Sequence, residues 1–334
     1  MFLKVVVADR LGIFVNAVYE NYQFYSGIDC FIASVFYSIQ IYGDFAGYSL
    51  MALGIAKCLG IDLINNFERP YLATSITSFW KRWHISLTQW LTRQIYIPLG
   101  GSRTSKIKTY RNILITFIVS GIWHGASWNF IIWGGLNGGG MIVYQLWKKT
   151  TWHLRMVFMT LLSAGLIVIR HYYPIPIWKL LTVWMLVIYA GFIVRYIYHL
   201  CNGRKGEGLG NIWGIVQTFT FITFTRLFFR SGSNLDPATA NTEAWNTAKN
   251  MVQQIGSKWN TAVIPDICSE YWKVFALVLI GMIIHWMPTR WKRWYRINFA
   301  LLPLPIMVLA IVAVVFIIYQ FVTADVQAFI YFQF

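Results

Sequence analysis

Long apolar runs joined by short polar links make up most of the chain, and their periodicities predict helices. Cys30–Tyr42 reads as a helix that stops at Gly43-Asp44-Phe45-Ala46-Gly47, with a second helix from Tyr48 to Leu59. Asn65-Asn66-Phe67-Glu68-Arg69-Pro70 reads as a loop, in which Pro70 biases Arg69 to an extended backbone. After Thr74 or Ser75, either a suitable N-cap, helical spacing puts Ile76, Phe79, Trp80, Trp83, Leu87, Trp90 and Leu91 on one stripe. Arg82, Gln89 and Arg93 lie opposite, and His84 falls on the stripe's edge, as in an interfacial amphipathic helix. Tyr96 to Arg103 is a turn by its Pro98 and Gly100-Gly101. Ile297–Ala324, Gly208–Thr225 and Val274–Thr289 have the character of membrane spans. Met156–Ile169 and Leu180–Val194 join them if Arg155, Arg170, Lys179 and Arg195 snorkel. The pattern predicts an all-α polytopic membrane protein.

One run breaks the scheme. Asn112 to Trp147 is 36 residues without a charge, which as one helix would extend roughly 54 Å, too long for a single span. A break at Trp123-His124-Gly125 divides it, and broken helices at membrane depth occur where they line a cavity or are buried in protein. His124 is the run's one imidazole, and an ionisable group there usually faces the interior or a watery cavity. No aspartate or glutamate occurs between Arg69 and Gly206, so no local carboxylate orients this ring. Burial is expected to lower its pKa and keep it neutral and basic. The alternative is a core histidine bonded to a neighbouring helix. His84 can likewise be a satisfied polar group at a surface, and Asp44 can cap a helix start at Phe45-Ala46.

Composition agrees with a membrane class: 57% of residues are apolar. The net charge of +16 comes mainly from links between apolar runs, as the positive-inside bias requires, and does not read as a nucleic-acid surface. Links at Lys148/Lys149/Arg155, Arg204/Lys205 and Arg290/Lys292/Arg293/Arg296 fit the cytoplasmic side together. That leaves residues 231–271 as an extracytoplasmic loop, with a surface helix over Thr242 to Ile255, and the C-terminus outside. Cys30, Cys58, Cys201 and Cys268 lack metal spacing and read as packing; no metal site is expected. His153, His171, His199 and His285 read as interfacial. With no repeat or linker, residues 1–334 read as a single membrane domain.

Four stretches in order carry a resemblance: Tyr42-Gly43-Asp44-Phe45-Ala46-Gly47-Tyr48-Ser49, Phe79-Trp80-Lys81-Arg82-Trp83-His84-Ile85-Ser86-Leu87, Tyr96-Ile97-Pro98-Leu99-Gly100-Gly101 and Trp123-His124-Gly125. Together they resemble the membrane-bound O-acyltransferase family, in its bacterial polysaccharide O-acetylase branch, and Phe329 to Phe334 is similar to that branch's C-terminus. The resemblance implies a bundle with broken, re-entrant helices around a central tunnel in the bacterial plasma membrane. It implies His124 at the waist and His84 toward the cytoplasm as catalytic residues. An acyl donor such as acetyl-CoA or an acyl carrier protein is expected at the cytoplasmic side, with no bound cofactor. An extracytoplasmic transfer protein and membrane lipid are the expected partners.

Asp44, Arg82 and Trp83 are candidates for binding substrate. Asn129, or backbone N–H groups freed after His124, are candidates for an oxyanion site. Lys81, Arg82, Arg93 and Arg103 either attract an anionic donor or touch lipid headgroups. Leu50 stands where the branch commonly has aspartate, and Arg226 near a usually aromatic position. Family members carry further N-terminal spans before the point matching Met1, so this domain is expected to lack them. The function so implied is transfer of an acyl group, acetyl first, from a cytosolic donor toward an exopolysaccharide such as alginate or another envelope acceptor. D-alanyl transfer to teichoic acid, a transporter and a non-enzymatic scaffold are the alternatives. Scarce intramembrane carboxylates and no visible internal symmetry weigh against a transporter.

Overall fold

The computed structural model describes residues 1–202, 207–232, 239–257 and 259–320. Arg204 and Lys205, the end of the expected Ile297–Ala324 span and the Phe329–Phe334 segment lie outside the described residues. Within them the chain is helical throughout. The helices are α1 (Asp9–Glu20), α2 (Gly27–Cys58), α3 (Ile76–Trp80), α4 (Ile85–Leu91), α5 (Lys106–His124), α6 (Trp128–Lys149) and α7 (Trp152–Tyr172). They continue with α8 (Pro176–Asn202), α9 (Glu207–Ser231), α10 (Ala240–Gly256), α11 (Ile264–Trp286), α12 (Thr289–Ala300) and α13 (Leu304–Tyr319). Among the described residues, four stretches are long and apolar enough to cross a membrane: Trp152–Tyr172, Pro176–Cys201, Gly210–Ser231 and Thr261–Trp286. The first two contain, and the last two overlap, a run whose hydropathy marks it as a span. The described residues fall into two compact units, one within residues 1–16, 36–65 and 262–320, the other within residues 17–35 and 66–261.

In the first unit α2 does not stop at Gly43, as its sequence suggested, but runs unbroken from Gly27 to Cys58. The two glycines serve close approach instead. Phe2–Ala8 forms a wide π-type helix across them. A Cβ on Gly43 would lie 2.9 Å from the Leu3 carbonyl oxygen, and one on Gly47 would lie 2.9 Å from the Lys4 nitrogen. Phe14 adds edge-on contacts to Phe36 at 5.7 Å and Tyr271 at 5.0 Å between ring centroids. His285 is buried here, not interfacial, because the last turn of α11 packs against α2. Its Nδ1 lies 3.0 Å from the Tyr42 hydroxyl. The expected span from Ile297 to Ala324 is likewise interrupted. Pro303, which has no N–H to continue a helix, separates α12 from α13.

The second unit is built on the hairpin of α5 and α6. Gly121 lies against Phe130, Gly134 against Phe117 and Gly138 against Leu114, so residue numbers rise on one helix as they fall on the other. That register is antiparallel. A Cβ on Gly121 or Gly134 would collide with the carbonyl oxygen opposite, as expected where small residues let helix backbones touch in a bilayer. Helices α7 and α8 form a further pair, joined by Thr160 and Tyr189 at 2.6 Å. The expected surface helix in the 231–271 segment exists as α10, with Glu243, Trp245, Lys249 and Gln253 exposed on its outer face. Ala244, Ala248, Met251, Val252 and Gly256 on one face are buried, and it packs on α6, α8 and α9.

Candidate functional site

His124 is the last residue of α5, and Gly125 at φ 157 turns the chain where a Cβ would strike the Phe130 ring. Ser127 then caps α6 by accepting the Asn129 N–H at 3.2 Å. The break therefore sits where the overlong uncharged run required one. Four aromatic rings enclose the buried His124 imidazole: Trp123 at 4.8 Å, Phe229 at 4.9 Å, Trp133 at 5.2 Å and Phe130 at 6.3 Å. Phe130 and Trp133 each also pack edge-on against Phe229, which joins the enclosure into one cluster. Each such pair contributes about 1 kcal/mol beyond simple burial, so the ring's orientation is held by packing.

The second histidine follows from a break that the sequence did not show. Ser75 caps α3, accepting the Ser78 N–H at 3.2 Å. The amphipathic stripe is nevertheless not one helix. His84 adopts φ 45 and ψ 59, a left-handed conformation, between α3 and α4. Long-range pairing imposes this: Phe67 bridges Trp83 in antiparallel fashion, Glu68 N–H donates to Arg82 O at 3.0 Å, and Ile85 N–H donates to Asn66 O at 3.1 Å. The same pairing turns Arg69 left-handed at φ 47, against the extended bias expected before Pro70. His84 lies 6.4 Å from the Trp123 ring, the same indole that flanks His124 at 4.8 Å. Burial pushes the His84 imidazole down to about 4, so its ring is neutral at pH 7.

The other candidates have these places. Trp83 is buried against Phe67 at 5.0 Å and Phe79 at 5.6 Å, a strut inside the unit. Arg82 is half-buried, while Lys81, Arg93 and Arg103 are exposed. The Asn129 amide is buried and donates to Ala244 O at 2.8 Å, and Asn241 Oδ1 accepts the Trp128 N–H at 2.9 Å. Together these tie α10 to the first turn of α6, beside the break. Asp44 belongs to the first unit, where its carboxylate meets Lys4 Nζ at 2.7 Å while Asp9 meets the same ammonium at 2.8 Å. A buried triad of this kind predicts a stability effect. Lys4→Met should cost about 3 kcal/mol by leaving the Asp9 and Asp44 carboxylates without their shared cation. A Lys4→Met/Asp9→Asn/Asp44→Leu triple variant, which keeps none of the three charges, should recover most of that loss, measured by thermal unfolding in detergent. A triple variant no more stable than Lys4→Met would show that the charges are not the source.

Sequence reasoning noted Arg226 only as a departure from an aromatic position and gave Phe229 no role. Arg226 is buried on α9 with its guanidinium carbon 4.0 Å from the Trp83 ring centre and 5.6 Å from those of Tyr71 and Phe79, and it donates to the Tyr71 hydroxyl. Phe229, one turn further along α9, is the residue that packs on His124. Its signal was legible: Arg226 is the only charge in the apolar run from Gly208 to Phe229. Asn112, fully buried, donates to Leu99 O at 2.9 Å and Gly101 O at 3.2 Å, pinning the Gly100-Gly101 turn to α5. The N–H groups of both glycines are already bonded to Ile97 O and Tyr96 O, each at 2.8 Å, so the turn is no phosphate cradle.

The model of the membrane-bound O-acyltransferase family matches residues 1–175. The chain is 42% identical over 151 residues to a peptidoglycan O-acetyltransferase of Helicobacter pylori, covering 45% of this chain and 29% of that protein. It is 40% identical over 173 residues to a probable alginate O-acetylase of Azotobacter vinelandii, covering 50% and 34%. To a teichoic acid D-alanyltransferase of Streptococcus thermophilus it is 32% identical over 124 residues, covering 34% and 30%. The matched segment thus spans about a third of each relative's length. The family match takes in more than half of the 334 residues and both histidines: this multi-pass membrane protein belongs to the membrane-bound O-acyltransferase family.

Proposed function

We propose that this protein transfers an acetyl group from a cytosolic thioester donor, acetyl-CoA or an acetylated carrier protein, across the bacterial inner membrane to a hydroxyl of an envelope polysaccharide. The observation that carries this reading is the aromatic enclosure of His124 at a helix break, with His84 beside the shared Trp123. Acyl transfer to a hydroxyl needs a base that works near neutral pH, and a neutral imidazole is suited to it. His124 accepts the hydroxyl proton as the new C–O bond forms. The C–S bond then breaks, and the proton passes to the departing thiolate. Aromatic walls keep out the water that would otherwise hydrolyse the donor. In this reading His84 positions the donor or handles protons on the cytoplasmic side. Lys81, Arg82, Arg93 and Arg103 attract the donor's phosphates, and a separate extracytoplasmic protein completes delivery to the polymer. Acetyl is favoured over D-alanyl because the two O-acetyltransferases are the more similar relatives.

The test is transfer of label from radiolabelled acetyl-CoA to membrane or polysaccharide acceptors by the chain in proteoliposomes. Label transfer supports the reading. D-alanyl transfer alone, or flux of a solute without any transfer, would replace it with one of the rival functions. The basic segment makes a separate prediction. Arg82→Glu should raise the donor KM several-fold, with a larger effect at low salt, and leave membrane partition unchanged. An unchanged KM would leave Arg82 as a lipid contact.

A further inference from the structure

The hydrogen bonds around His84 fix which of its nitrogens is basic. Asn66 Oδ1 receives the Ser86 backbone N–H at 3.1 Å, and since that group can only donate, the Asn66 atom facing it is the oxygen. The Ser86 hydroxyl lies 2.6 Å from the same oxygen, which can only accept. The single hydroxyl proton of Ser86 is therefore given to Asn66. What remains on Ser86 Oγ is lone pairs, and these face His84 Nδ1 at 3.3 Å. A neutral imidazole carries one N–H, and only an Nδ1–H satisfies this geometry.

We propose that Asn66 and Ser86 are positioning residues that hold His84 in the Nδ1–H form, so that Nε2 is the nitrogen that takes up and gives back protons. The inference rests on the reading of His84 as a proton-handling group, and it names the atom that does the work. Ser86 Oγ accepts from Nδ1–H equally well when Nε2 is protonated, so the relay keeps one geometry through the cycle. The left-handed turn at His84 brings Nδ1 to the hydroxyl two residues on, and the pairing of residues 66–68 with 82–85 supplies the asparagine. Neither residue needs to touch substrate.

The test reads the tautomer directly, by nitrogen-15 NMR of histidine-labelled full chain in nanodiscs, with the His84 signal assigned by its loss in His84→Gln. The wild-type ring is expected in the Nδ1–H form. Ser86→Ala and Asn66→Ala should give mixed tautomers and lower kcat by at least about tenfold with little change in KM, the scale on which support of a reactive imidazole usually shows. Ser86→Thr keeps the hydroxyl, and Asn66→Asp keeps an oxygen acceptor. Both should retain the tautomer and most of the rate. An Nε2–H ring in the wild type, or an unchanged tautomer in Ser86→Ala, would overturn the inference. Full activity in His84→Gln would instead overturn the proton-handling reading, whatever the tautomer.

Discussion

Replacing His124 with alanine should lower acyl transfer by about a thousandfold, within the range by which a positioned acid or base accelerates such steps. The protein should remain folded and inserted, because the close glycine contacts that hold the α5–α6 hairpin lie elsewhere. Loss of the ring from among Trp123, Phe130, Trp133 and Phe229 leaves a small aromatic-lined void, costing about 2 kcal/mol of packing. Glutamine at 124 is the informative companion, since it is polar and of similar size but cannot act as a base. Expression, detergent melting temperature and donor turnover should be measured together. Turnover within a few-fold of wild type in both variants would remove His124 from the chemistry and leave it as a packed core residue.

Gly134→Leu, like Gly121→Leu, should be among the most damaging substitutions in the α5–α6 hairpin. Even a Cβ at 134 overlaps the Phe117 carbonyl, which is backbone and cannot swing aside. Overpacking of well-fitted cores typically costs about 1–3 kcal/mol, and a backbone collision lies above that range. Gly135→Leu is the control, because a Cβ there meets nothing within 4 Å. The expected outcome is loss of folded protein for Gly134→Leu and near-normal yield for Gly135→Leu, scored by monodisperse recovery in detergent. Equal yields would mean that the helices are not in the close antiparallel register described.

The hairpin and its break were legible in the sequence because two physical limits coincide there. A 36-residue uncharged run exceeds a bilayer span, and Gly125 offers the turn beside an imidazole. The same logic misfired at Gly43 and Gly47, where glycine permits helix contact instead of ending a helix. Local pattern alone does not separate these uses, since the deciding partner, Phe2–Ala8, is some forty residues away. The left-handed turn at His84 was hidden for a related reason: helical spacing from Ile76 to Leu91 is good, and the pairing with residues 66–68 that interrupts it is long-range. At Pro303 the signal was present, but a strongly apolar window outweighed it. Helix α10 was located correctly, but the helices it packs on were not legible, because its buried face mixes the small residues Ala244, Ala248 and Gly256 with Met251 and Val252, and such a face names no partner. The Lys4–Asp9–Asp44 triad joins residues from separate elements, and spacing carries no trace of it.

The left-handed backbone at His84 also bears on which changes the chain can tolerate over evolutionary time. Most side chains lose roughly 1–2 kcal/mol in that region, while histidine, asparagine and aspartate enter it more readily. Of the codons one base away from histidine, those for asparagine and aspartate keep the turn but lose the imidazole. Those for leucine, proline, arginine, glutamine and tyrosine lose both. Drift at position 84 therefore has a narrow exit, through a protein that still folds but lacks the imidazole to which proton handling is ascribed above. A lineage that had given up the reaction but kept the protein as a scaffold should carry asparagine or aspartate there.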